Sequence, residues 1–180
     1  MALILSNIFT FHGSKAVKKL ESEIIKRFYA DGNKSNSNRD TAIKRILFGV
    51  EESGDFDWVG RVGAQWIYAY PRRDKLEFIS RNSAAKKLAD HIAIYASKVD
   101  PNVIVQLEYF DSEGDLIGTK FSTCNSDGQI VAAEAEEVTL SHLSFSRMNQ
   151  IKLKKKREAW SELSRLHGDH FKSLKINLDS

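Results

Sequence analysis

The sequence is short of cysteine, of long apolar runs and of charge of one sign. Cys124 is the only cysteine in 180 residues, so the fold must rest on packing rather than on disulfide bonds. This favours a reducing compartment, and we expect a cytoplasmic protein. No apolar run approaches the roughly 20 residues that cross a bilayer, and the polar pair Ser6-Asn7 ends the apolar start. The sequence therefore predicts neither membrane association nor secretion.

The net charge of +3 is too small to identify a nucleic-acid-binding protein, but it is unevenly distributed. Residues 141–180 contain nine Lys and Arg against four Asp and Glu, which leaves the first 140 residues slightly acidic. The basic character therefore belongs to the C-terminal part of the chain.

The first third of the sequence predicts a strand followed by a helix. Residues 2–11 are apolar and compatible with a strand. A helix then ends near Asp31-Gly32, and apolar residues at spacings of three and four define its buried stripe: Val17, Leu20, Ile24 and Phe28. The polar residues 33–40 predict a surface loop, and residues 41–48 fit either a helix or a strand.

Two hairpins and a second helix follow. The hairpins comprise residues 64–70 with 76–80 and residues 103–110 with 116–123, and the helix between them is expected to be capped by Asn82 or Ser83. This order predicts an α+β protein with a ferredoxin-like split β-α-β sandwich, an antiparallel sheet with two helices on one face and an added hairpin strand. Residues 129–140 could add one further strand.

The C-terminal part predicts a basic helical extension. Residues 144–167 are good helix formers, and Gly168 ends them. Phe171, Leu174 and Ile176 in the final segment are expected to pack back on the domain. The chain is thus divided into a ferredoxin-like domain at residues 1–140 and a helical extension at residues 141–180.

Short motifs between residues 6 and 128 carry a family resemblance. They are residues 6–13 (SNIFTFHG), Trp58 with residues 63–66 (GAQW), residues 76–80 (LEFIS), residues 109–118 (YFDSEGDLIG) and residues 127–128 (DG). In these motifs the chain resembles the Api ninety-two-like proteins, which are carried on bacterial plasmids, genomic islands and phages. The resemblance implies a ferredoxin-like domain, a bacterial host cell and an accessory role on a mobile genetic element. It implies no reaction and no catalytic residue.

No set of residues converges in sequence on a catalytic, cofactor or metal site. The five histidines are scattered, and only His167 and His170 lie close together, with a glycine between them that breaks a helix. Asp111, Glu113 and Asp115 imitate a calcium loop but lack its later bidentate glutamate. Cys124 has no predicted base beside it. We therefore expect no enzymatic activity, no cofactor and no metal.

Two features are candidate binding elements. An alternating aromatic series on one predicted strand would place three rings on one sheet face, where bases could stack if the face is open: Trp66, Tyr68 and Tyr70. The alternative is burial under the C-terminal segment. A basic run near an aromatic residue could contact phosphates or an acidic protein, although most such runs are solvated helix faces: Lys152, Lys154, Lys155, Lys156 and Arg157, with Trp160.

Two functional hypotheses follow. The first is a non-enzymatic accessory protein of a phage or plasmid that binds a host protein complex, such as a defence or regulatory system. The second is a nucleic-acid-binding module that uses the aromatic sheet face together with the basic helix. The sequence leaves open the oligomeric state and whether the C-terminal helix packs on the sheet or projects.

Overall fold

The computed structural model describes residues 3–32, 39–49, 56–71, 74–111, 115–139 and 143–167, without the side chains of residues 29, 31–32, 39–43, 66 and 68–71. The strands are β1 (Ile4–His12), β2 (Trp66–Pro71), β3 (Leu76–Arg81), β4 (Ile104–Asp111), β5 (Leu116–Cys124) and β6 (Ile130–Val138). The helices are α1 (Lys15–Gly32), α2 (Arg39–Phe48), α3 (Trp58–Arg61), α4 (Lys86–Ser97) and α5 (Phe145–His167).

The fold is α+β, with these strands in one antiparallel sheet in the order β2-β3-β1-β4-β5-β6. The predicted strand at residues 129–140 exists as β6, which pairs along its whole length with β5. Two strands, rather than one, therefore extend the sheet beyond β4. This arrangement is compatible with the ferredoxin-like plan expected from the sequence.

The main core lies between one sheet face and the helices α1 and α4. Along β1 the odd-numbered residues Leu5, Phe9 and Phe11 are buried, while the even-numbered residues stay partly exposed, as alternation on a half-buried strand requires. The predicted stripe of α1 is confirmed, because Val17, Ile24, Phe28 and part of Leu20 pack into this core.

The start of α4 differs from the prediction. Neither Asn82 nor Ser83 caps the helix; its N-cap position is Ala85, which has no side chain able to accept a hydrogen bond. The side-chain oxygen of Asn7 on β1 accepts the hydrogen bond from the Ala85 N–H instead, at 2.8 Å. Ser83 donates its hydroxyl to the Gly63 carbonyl at 2.7 Å.

A second core lies on the opposite sheet face, under α5. Lys120 and Ser122 on β5 bind Asp90 of α4, whereas Phe121 between them packs edge to face on Trp160 of α5. Successive residues of a strand point to opposite faces, so α4 and α5 cover opposite sides of the sheet. Ile104, Ala133, Ala159 and Leu163 complete this second core. The prediction of helices on one face only is therefore incomplete, and α5 packs rather than projects.

The remaining differences concern the connection between α1 and β2 and the chain end. Residues 39–48 form the helix α2, so residues 41–48 are helical rather than a strand. The helix also includes residues 39–40, which were predicted to belong to the preceding loop. Residues 33–38 of that loop, and the C-terminal segment with Phe171, Leu174 and Ile176, lie outside the described residues. In the described ranges no helix combines the length and the apolar content needed to cross a bilayer.

Candidate functional site

Helix α5 covers only part of its side of the sheet. It packs mainly on β5 and β6, and it reaches β4 at Ile104, Glu108 and Phe110. Among the described residues, no helix packs over the rest of the surface that β1, β3 and β4 present on this side. We call this surface the open face. Its members are Ile4, Ser6, Ile8, Thr10, Glu77, Ile79, Gln106, Glu108 and Phe110.

Strand register places apolar side chains in the middle of the open face. Ser6 lies directly between Ile79 and Phe110 across the three strands. In the next row Ile8 lies between Glu77 and Glu108. Directly paired residues on antiparallel strands are nearest neighbours on one face, so these two rows form one surface. Ile4 adds an isoleucine side chain that is 47% exposed.

The carboxylates of this surface are held by neighbouring groups. Glu77 accepts a hydrogen bond from the Ser6 hydroxyl at 2.6 Å. Glu108 accepts one from the Gln106 amide at 2.6 Å and pairs with Lys156 of α5 at 2.8 Å. The two charges of the Glu108–Lys156 pair therefore largely cancel each other beneath the middle of α5.

His12 continues this polar chain at the end of β1. Its Nε2 lies 2.8 Å from the Gln106 side-chain oxygen. Because the Gln106 nitrogen donates to Glu108, that oxygen is the acceptor and His12 carries its proton on Nε2. Burial lowers the pKa of His12 below 6.5, against the opposing effect of the Gln106 hydrogen bond, so the ring is neutral at pH 7.

Lys152 lies on the other side of the open face, in the third turn of α5. Its Nζ lies 3.3 Å from the centre of the Phe110 ring, a cation–π contact. Burial lowers the pKa of Lys152, and the charges of Lys75 and Lys156 lower it further, while Glu108 raises it. The charges of Lys75 and Lys156 therefore oppose that of Lys152, and the carboxylate of Glu108 favours it.

A cavity of about 600 Å³ opens at the end of the open face, where β1 runs on past the start of β3. The β1–β3 pairing stops at Phe9 with Leu76, and the Phe11 N–H donates to Glu21 of α1 at 2.9 Å instead. Glu21 also pairs with Lys18 at 3.0 Å. Lys26 of α1 and Lys75 before β3 complete the cationic part of the lining.

The predicted aromatic series lies on β2, an edge strand of the sheet. The register pairs Trp66 with Arg81, Tyr68 with Ile79 and Tyr70 with Glu77. The positions of the series therefore continue the rows of the open face, while their side chains lie outside the described part of the chain.

The predicted basic run does not form one solvated face. Lys156 is 7% exposed and pairs with Glu108, and Lys155 pairs with Glu158 at 2.9 Å and with Glu137 of β6 at 3.5 Å. Lys154 is more exposed and lies 3.8 Å from Glu137. Arg157 is exposed, and Trp160 packs on Phe121. The structure thus brings Lys152 and Lys156 to the open face and directs Lys154 and Lys155 towards β6.

Sequence reasoning missed the polar members of the site. His12, Gln106 and Glu108 lie at alternate positions on β1 and β4, and Lys75 precedes β3. The available signal was that these polar residues occupy the alternate strand positions whose side chains point away from the core. That signal did not show that β1 and β4 are neighbours.

Of the other sequence candidates, only part is described. Cys124 is buried at the end of β5, and residues 112–114, 51–55 and 168–170 lie outside the described residues. Among the residues that are described, no three His, Cys, Asp or Glu side chains come together as a metal site would require.

Comparisons of the chain with protein-family models, with curated proteins and with solved structures give no match. The resemblance to the Api ninety-two-like proteins therefore stays a prediction from the sequence motifs.

Proposed function

We propose that this protein is a non-enzymatic accessory protein of a mobile genetic element, and that it acts by binding a host protein complex through the open face. One observation carries the proposal: a half-covered sheet face with apolar residues in its centre and polar, charged residues around them. Non-obligate protein interfaces have this composition, an apolar centre within a polar rim.

The centre of the open face is apolar and accessible. Ile8, Ile79 and Phe110 are partly exposed and Ile4 is 47% exposed, although all four lie on regular strands of a well-packed sheet. Rigid strands hold these side chains in fixed positions, which lowers the entropy that a partner must overcome on binding. The surface is therefore suited to a preformed contact.

The rim supports the same proposal. Glu108 and, at the cavity, Glu21 each pair with a lysine, and the buried Glu77 accepts a hydrogen bond from Ser6. Acids and lysines alternate here rather than forming a field of one sign. Mixed charge favours a protein surface over the phosphate backbone, which selects for clustered cations.

We also propose that β1 to β4 with α1 and α4 form a ferredoxin-like unit. Its support is the strand order β2-β3-β1-β4 with all pairs antiparallel and both helices in one core. In this proposal β5, β6 and α5 are added to that unit. Helix α5 packs on the second face of the sheet and borders the open face.

Nucleic-acid binding is the second candidate, and one observation favours it. The positions of Trp66, Tyr68 and Tyr70 continue the open face at its edge. Against it stand the ion pairs of Lys155 and Lys156 with glutamates, which remove charge from the predicted phosphate-binding helix.

Affinity capture tests the proposed function. The tagged full chain is expressed in a bacterial host, and captured proteins are identified and then used as purified baits in the reverse direction. We expect one host protein or complex to be recovered in both directions. Repeated capture of nothing specific, together with tight binding of labelled oligonucleotides, would contradict the proposal and support the second candidate.

A further inference from the structure

We infer that the open face receives an acidic segment of the partner protein, with its carboxylates bound by Lys75 and Lys152. This inference rests on the proposed function and adds the chemistry of the segment that is recognised. It follows from an imbalance of charge at one place on an otherwise neutral surface.

The imbalance centres on Glu108. Lys156 lies 2.8 Å from this carboxylate and neutralises it. Glu108 favours the charged form of Lys152, on the preceding turn of α5, whereas the charges of Lys156 and of Lys75, before β3, oppose it. Within the described residues, neither Lys75 nor Lys152 has a carboxylate inside the 4.0 Å distance of an ion pair. Around Lys152, three lysine charges therefore face the one carboxylate of Glu108, with which Lys156 already pairs.

Lys152 is only partly exposed to water. Its Nζ is held over the Phe110 ring, and its surroundings disfavour the charged form, because burial and the neighbouring lysines both lower its pKa. An incoming anion would remove the repulsion and compensate the lost hydration, so the charged lysine would be stabilised by the partner. The site is thus preorganised for negative charge.

The adjoining cavity extends the same pattern. Lys26 lines it without an ion-pair partner among the described residues, whereas Lys18 is neutralised by Glu21 at 3.0 Å. Its volume of about 600 Å³ fits a few side chains rather than a folded domain. A segment crossing the open face could therefore place apolar residues on Ile8 and acidic residues towards Lys26 and Lys75.

A protein segment fits this surface better than a nucleic acid. The cations are interrupted by Glu77, Glu108 and Asp74, so a continuous phosphate chain would meet carboxylates along its path. Separate carboxylates on a peptide can be spaced to reach the lysines while apolar residues contact the isoleucines. The observations therefore favour an acidic, partly apolar peptide.

Peptide display tests the inference even before the partner protein is identified. Random 12-residue peptides displayed on phage are selected on the full chain, and the selected peptides are measured by fluorescence anisotropy at two salt concentrations. We expect enrichment of Asp and Glu together with apolar residues. The double variant Lys75→Gln/Lys152→Gln should weaken binding about tenfold or more, and salt should weaken it further.

The matched control is Lys87→Gln/Lys98→Gln, which removes the same charge from exposed positions on or next to α4, on the other side of the sheet. It should leave affinity within about twofold. Lys152→Arg keeps the charge and should retain binding, which separates loss of contact from loss of folding. Unfolding midpoints of every variant are recorded alongside.

Three outcomes would overturn the inference. They are selected peptides without acidic enrichment, equal effects of the two double variants, and binding of a 15-nucleotide oligothymidylate that exceeds peptide binding and is lost in Lys75→Gln/Lys152→Gln. If a host protein is captured and binds the Lys75→Gln/Lys152→Gln variant as tightly as the native chain, the inference fails while the proposed function stands. If no host protein binds at all, the proposed function fails first.

Discussion

The side-chain oxygen of Asn7 on β1 accepts a hydrogen bond from the backbone N–H of Ala85, which stands at the N-cap of α4. The amide nitrogen of the same fully buried side chain donates to the Ser80 hydroxyl at 2.8 Å. One asparagine therefore joins the central strand, β3 and the start of α4, in the role that a local cap usually has.

Replacing Asn7 by alanine should destabilise the protein. The change leaves the buried Ala85 N–H without its acceptor, which costs about 1–3 kcal/mol in the free energy of unfolding. Urea unfolding followed by circular dichroism measures this. The control Asn102→Ala, at an exposed position, should stay within about 0.5 kcal/mol, and equal losses in both variants would contradict the assigned role.

Two leucines of α5 that differ in exposure test whether this helix contributes to the stability of the fold. Leu163 is fully buried against the sheet, whereas Leu166 on the same helix is 49% exposed. Leu163→Ala should lower the free energy of unfolding by about 2–5 kcal/mol, because it removes a core side chain and leaves a cavity. Leu166→Ala should cost well under half as much.

Chemical denaturation of the full chain measures both leucine variants. If α5 were a separate projecting extension, neither substitution would change the main unfolding transition. A single transition that shifts for Leu163→Ala alone would show that α5 folds together with the sheet.

The partly buried His12 gives an expected pH dependence. Burial lowers the pKa of His12 in the folded protein, so below about pH 6.5 the unfolded chain takes up this proton first. The stability contributed by neutral His12 is therefore complete above that pH and is lost as the pH falls towards the folded pKa. The charges that act on His12 are those of Lys18, Lys156 and Glu108.

The free energy of unfolding of the native chain and of His12→Gln should be compared between pH 8 and pH 5.5. We expect the native chain to lose more stability over this range than the variant. The other four histidines are present in both proteins, so the difference between the two curves belongs to His12. Parallel pH curves would show that His12 titrates alike in the folded and unfolded chains.

Local patterns predicted the elements of this fold well. The spacing of Val17, Ile24 and Phe28 defines the buried side of α1, and alternation of apolar residues defines β1. These signals succeed because the period of each element is set by its own backbone. The cap of α4 escaped prediction because its acceptor, Asn7, is 78 residues away in the chain.

The site was harder to predict for the same reason. In sequence, Lys152 to Arg157 is typical of a solvated basic face. In the structure Lys156 meets Glu108 and Lys155 meets Glu137, because strand pairing and the docking of α5 bring these glutamates into reach. Charge partners contributed by other elements cannot be read from a run of lysines.

The central claim is that the open face is the surface that binds a host protein, and a matched pair of substitutions tests it most directly. Ile4 on the open face and Val99, just beyond α4, are 47% and 46% exposed, so replacing either by aspartate makes a similar change in a different place. Isothermal titration calorimetry with the purified captured partner compares Ile4→Asp, Val99→Asp and the native chain. We predict affinity about tenfold or more weaker for Ile4→Asp and nearly native affinity for Val99→Asp. Native affinity for Ile4→Asp with a loss for Val99→Asp would contradict the account and place the interface on the other side of the sheet.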